Sequence, residues 1–153
     1  MKSDIRKRAR ERLDQRLLTL KPEDRFQPPP KGWIRAIRDA IGMTGVQLGA
    51  RLGVRPQTIE AIEKSEAGGS IQLSTLRRAA EAMDCTLVYA LVPNSSLENV
   101  VHQRARKIAI RALQRVAHTM RLEAQETNDA GMEARIESYI RDAVKDRDLW
   151  NEP

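Results

Sequence analysis

Arg55, Gln57, Thr58, Glu60, Ala61 and Lys64 fall on one side of a short segment whose other side carries Ile59 and Ile62. The polar members offer donors and acceptors in a row. A glutamine amide donates and accepts at once, as the edge of adenine requires; a guanidinium suits guanine or a phosphate; a carboxylate repels phosphate but can accept from cytosine. This is the chemistry of reading a duplex, provided the residues lie at the leading end of a rigid helix. Pro56 suits the first position of such a helix, where its missing N–H leaves no bond unmade, and it can offer a base only apolar contact. Gln57 is the best base reader of the set.

A rigid reader needs a second element to hold it, and the preceding residues supply one. Thr44 can cap a helix start with its hydroxyl, and Leu48 and Leu52, four apart, share the inward face. Gly53 follows where a helix end needs positive φ, and Gly49 leaves room for a close crossing. Residues 43 to 66 therefore read as two short helices joined by a glycine turn. Thr44, Gln47, Ser70 and Gln72, together with N–H groups of the Gly68-Gly69 loop, are expected to hold phosphates, which position a protein without reading sequence.

With its flanks this stretch resembles the five-helix DNA-binding domain of the phage-repressor, or XRE, family over about residues 32 to 84. The parts fall in order: GWIRAIRDAIG, the two-helix unit, the polar loop SEAGGS, then LSTLRRAAEAMD. The resemblance implies that the start of the second helix enters the major groove. It also implies a structural ion pair between Arg38 and Glu63. The family often carries a reading side chain where this chain has Pro56.

Composition points to helices. Of the 153 residues 31% are charged and only 3% aromatic, so a core must come from Leu, Ile, Val, Ala and Met on amphipathic helices. The fold class expected is all-α: a five-helix XRE/lambda-repressor-like helix-turn-helix domain with a short β-strand and N- and C-terminal helical extensions. Three regions are expected, at residues 1–31, 32–92 and 93–153. The single Cys85 excludes a disulfide within one chain. His102 and His118 have no paired ligand at metal spacing, and AGGS lacks the Lys of a phosphate loop. No active site, metal or cofactor is expected. The longest apolar run, Leu87 to Val92, is too short to span a membrane, and no signal peptide is seen, so the expected location is the cytoplasm.

The net charge of +6 is unevenly spread. Residues 1–31 hold ten basic and five acidic side chains, residues 32–92 only seven and six, residues 93–121 six and one, and residues 122–153 four and nine. The reader itself is nearly neutral, and the basic N-terminal helix is placed to add non-specific phosphate attraction, a solvated helix face being the plain alternative. In that helix Ile5, Ala9, Leu13, Leu17 and Leu20 fall on one side and should pack on something. FQPPPKG then reads as a stiff extended linker. TLVYALVP is rich in strand formers and apolar on both alternating faces, so both sides should be covered. One strand cannot satisfy its own edges, which favours a twofold homodimer. Ser96 should cap a long helix with Leu97, Val101, Ile108, Ala112, Val116 and Met120 in its stripe. A last helix should bury Ile136, Tyr139, Ile140 and Val144.

Across its whole length the chain resembles the family called mobile mystery protein A, on PPPKGWIRAIRDAIGMTGVQLGARLGV, LRRAAEAMDCTLVYALVP and RVAHTMRLEAQ. The resemblance implies an antitoxin-like regulator paired with a Fic-domain protein. Inhibitors of AMP-transferring Fic enzymes carry Ser or Thr, three residues, Glu, then Gly or Asn. Thr119 and Glu123 have that spacing, followed by Ala124. Two functions stand open: a DNA-binding repressor of its own gene pair, or chiefly a protein-binding inhibitor of the Fic partner.

Overall fold

Ile34, Leu48 and Ile59 come from three different helices and are the most completely buried large side chains. The structure is a computed structural model describing residues 2–119 and 129–151. Its helices are α1 (Lys2–Leu17), α2 (Trp33–Ala40), α3 (Gly45–Leu52), α4 (Pro56–Ala67), α5 (Leu73–Ala82), α6 (Leu97–Thr119) and α7 (Asp129–Ala143), with 3-10 turns at Leu18–Leu20 and Glu23–Phe26. The chain divides into two compact units, residues 21–91 and the described residues of 1–20 with 92–153.

In residues 21–91 the helices α2 to α5 enclose Ile34, Leu48, Ile59, Ala79 and Met83, with Ile37, Leu52, Val54, Ile62 and Leu76 packed around them. These are the apolar positions at three- and four-residue spacings along each helix, so the pattern and the core coincide. The segment before α2 does not stay extended. Gly32 N–H donates to Pro29 O at 2.8 Å, and Gly32 enters α2 at φ 84°, a value natural only to glycine. The domain thus has four α-helices and a 3-10 turn rather than five helices.

The expected short β-strand is absent: no strand occurs among the described residues. Residues 86–91 run without backbone partners, and Val88 and Leu91 are 83% and 87% exposed, so the expected cover on both faces is also missing. The reason is elementary, since a ladder needs a second strand and the described chain contains none.

In the other unit α1 lies along α6, and α6 along α7. Ala105, Ala109, Ile136 and Leu149 are buried there. The rotation of α1 departs from its apolar pattern: Ile5 is 63% and Leu13 47% exposed, while Asp14 is buried. Asp14 turns inward because its carboxylate accepts the N–H of Leu97 (2.7 Å) and of Glu98 (3.2 Å), capping the start of α6. Arg10 Nε adds a 2.7 Å bond to the Glu98 carboxylate. A carboxylate at a helix start satisfies N–H groups that the helix itself leaves unpaired and is favoured by the helix dipole. Ser96 Oγ accepts from Asn99 N–H at 3.0 Å, so α6 is capped twice. Arg106 pairs with Glu133 and His102 with Glu137 (3.2 Å) across α6 and α7.

Candidate nucleic-acid interface

Local chemistry builds the two-helix unit. Gln47 N–H donates to Thr44 Oγ1 (3.2 Å) and Thr44 N–H to Gln47 Oε1 (2.8 Å), so each side chain caps the other's backbone at the start of α3. Gly53 ends α3 at φ 68°, ψ 31°. A Cβ on Gly49 would come within 2.8 Å of Val54 O, so glycine is required for the chain to fold back this tightly. Pro56 then opens α4.

Ion pairs fix the unit against its neighbours. Arg38 Nε donates to Glu63 Oε1 at 2.6 Å and Arg38 Nη1 to Met43 O at 2.9 Å, with Glu63 only 6% exposed. The hydrogen bond to Glu63 raises the Arg38 pKa above its ordinary value against the opposing effect of burial, so the guanidinium stays charged. Arg51 Nη1 donates to Ala82 O (3.0 Å) and Arg78 Nη2 to Leu52 O (3.2 Å), so α3 and α5 each close the other's C-terminal end. Neither arginine was singled out by the sequence pattern, because both look like ordinary surface charge.

With Ile59 and Glu63 facing inward, the opposite side of α4 is bare. Arg55, Pro56, Gln57, Thr58, Glu60, Ala61 and Lys64 are all exposed, and so are Thr44, Gln47, Ser70 and Gln72. The leading tip of α4 is therefore not masked within its own domain. Thr58, Ala61, Ser70 and Gln72 line one shallow hollow between α4 and the start of α5, joined there by Ser65 and Thr75, two hydroxyls the sequence reading passed over. Lys64 Nζ lies 3.2 Å from Glu60 Oε1, so these two side chains are engaged with each other. Gln47 has spent its carbonyl on Thr44 and keeps its amide N–H groups.

The loop N–H groups expected to hold phosphate are already used. Gly68 N–H donates to Lys64 O at 2.9 Å and Gly69 N–H to Glu66 O at 3.0 Å, since these glycines finish α4 and close its last carbonyls. Glu123 lies outside the described residues, as does the Thr119 side chain. No group of three or more His, Cys, Asp and Glu among the described residues could hold a metal ion, and no described helix is long and apolar enough to cross a membrane.

Residues 34–89 match the family model described as Helix-turn-helix. This segment is a helix-turn-helix domain of the XRE type. Helices α3 and α4 are the helix-turn-helix proper, with α4 in the place of the recognition helix, and α2 and α5 complete the domain. Such a domain is a DNA-binding regulatory module and not a catalytic one. The match leaves α1, α6 and α7 outside it. No curated protein and no solved structure matches the chain.

Proposed function

We propose that the chain is a sequence-specific DNA-binding transcriptional regulator that reads the major groove with the start of α4. The observation that carries this reading is the two-sidedness of α4: Ile59 and Glu63 lock it to its own domain, while Arg55, Pro56, Gln57 and Thr58 are exposed together at its tip. Gln57 supplies the adenine-type contact and Arg55 a guanine or phosphate contact, with Thr44, Gln47, Thr58, Ser70 and Gln72 on the flanking phosphates. The test is enrichment of duplexes from a random pool by the full chain. A defined motif whose preference is lost in Gln57→Ala supports the reading; enrichment of no motif overturns it.

The finer reading is an antitoxin-like autorepressor paired with a Fic-domain, AMP-transferring protein. Its support is the resemblance in PPPKGWIRAIRDAIGMTGVQLGARLGV and RVAHTMRLEAQ. In that reading Thr119 and Glu123, four apart in sequence, offer a hydroxyl and a carboxylate to a nucleotide-binding arginine of the partner. Adenylylation by the Fic partner, assayed with the wild-type chain and with Glu123→Ala, decides it: release of activity by the substitution supports the role, and continued silence removes it.

A homodimer accompanies both readings. Val88 and Leu91, on an extended segment with no backbone partner, are apolar surface that a second copy would cover, and a twofold pair suits symmetric operator halves. Sedimentation of the full chain tests this, and a monomer at high concentration rejects it.

A further inference from the structure

Helix α1 carries two rows of charge that the structure treats differently. Arg6, Arg10 and Asp14 form the docked row: Arg6 pairs with Asp146 (3.7 Å), Arg10 with Glu98 (2.7 Å), and Asp14 caps α6. Arg8, Arg12 and Arg16 each stand two residues further on, about 200° round the helix, and so point the opposite way. All three are exposed, and none meets an acid among the described residues. The acids nearest their line are Asp4, one turn before Arg8, and Glu11 on its flank.

Like charges four apart on a helix repel, at a cost of roughly 0.2–0.5 kcal/mol per pair. Here the row is repeated over about 12 Å with no internal neutralisation. A convex line of separate guanidiniums about 6 Å apart suits an extended polyanion, one phosphate to each arginine, and does not enclose a small anion. The helix-turn-helix domain is in turn short of exactly this charge, since residues 32–92 hold seven basic against six acidic side chains. Non-specific affinity for DNA comes from neutralised phosphates, and a nearly neutral reader adds little net charge to it.

We propose that Arg8, Arg12 and Arg16 form a phosphate-binding stripe through which the chain holds duplex DNA without reading its sequence. The proposal rests on the reading of the chain as a DNA-binding protein. It assigns affinity and salt sensitivity to α1, and base preference to α4.

The test compares the full chain with the triple variant Arg8→Ala/Arg12→Ala/Arg16→Ala on a random-sequence duplex across a salt series. Alanine is a good helix former on an exposed face, and circular dichroism checks that the helices remain. Three lost phosphate contacts lower the slope of log K against log salt by about 2.7. Between 50 and 200 mM salt the wild-type chain then loses roughly forty-fold more affinity than the variant. The triple lysine variant keeps the wild-type slope, and the motif enriched from a random pool is the same for all three proteins. Equal slopes for the wild-type and alanine chains, with the motif retained, overturn the stripe and leave the DNA reading standing; the stripe would then belong to an acidic protein partner. Absence of any duplex binding by the wild-type chain overturns the DNA reading itself and the stripe with it.

Discussion

The carboxylate of Glu66 accepts the backbone N–H of Trp33 at 2.7 Å, and its second oxygen accepts that of Ile34 at 3.0 Å. A side chain near the end of α4 therefore caps the start of α2, whose own N-cap residue, Gly32, has no side chain to offer. A Cβ on Gly32 would fall 2.7 Å from the same carboxylate, so glycine and glutamate fit as a pair. Glu66→Ala should cost about 1–2 kcal/mol, the usual loss for a cap that also carries charge at a helix N-terminus. Urea denaturation reads this directly, and an unchanged midpoint would show that water replaces the cap without loss.

Gly49→Ala should be the more damaging of two glycine substitutions in the turn. Its Cβ would meet Val54 O, a backbone atom that cannot swing aside, whereas nothing lies within 4 Å of a Cβ on Gly53. The expected cost is about 1–3 kcal/mol for Gly49→Ala, from overpacking. For Gly53→Ala it is roughly 1 kcal/mol, from the left-handed φ alone, and Gly53→Asn should cost less. Thermal melts of the three variants would have to rank differently for this account of the turn to fail.

Removing one partner of the Arg38 and Glu63 pair should be worse than removing both. Glu63→Ala leaves a covered guanidinium with only Asp39 and the Met43 carbonyl, a loss of about 3 kcal/mol. Arg38→Met combined with Glu63→Leu removes both charges and should recover much of that loss. A double variant as unstable as the single one, in a double-mutant cycle, would mean that packing and not charge is the cause.

Acid should slightly weaken the contact of α7 with α6 through Glu133. The Arg106 hydrogen bond lowers the Glu133 pKa below the ordinary carboxylate value, and Glu133 in turn raises that of Arg106. A carboxylate with a depressed folded pKa stabilises above its unfolded value, and that contribution is lost as pH falls from about 4.3 through the folded value. Both groups are solvent-exposed, so the effect is small. In Glu133→Gln the melting temperature of this unit should vary less with pH across that window. Identical pH profiles for the two proteins would assign the acid sensitivity to other groups.

Much of the helix-turn-helix could be read from the chain because its signals are local. The Thr44 cap, the Gly49 crossing, the Gly53 turn, the Pro56 start and the inward Leu48 and Ile59 each depend on neighbours within a turn or two. The exposed side of α4 follows from the same periodicity, so the bare residues of that side were legible together.

Other features were not legible, because they join residues far apart in sequence. Glu66 and Asp14 look like solvated acids, yet each caps a helix that begins 32 or more residues away. Capping by Asp14 turned α1 so that Ile5 and Leu13 face water, against their own apolar spacing. The residues of TLVYALVP have strand propensity, but propensity does not provide a partner strand. Sequence by itself determined which side of each short helix is apolar and where the turn must fall, since those rest on spacing and backbone sterics. Only the tertiary structure decided which distant carboxylates meet orphan N–H groups and how α1 is rotated, because burying a charge is settled by what lies across from it.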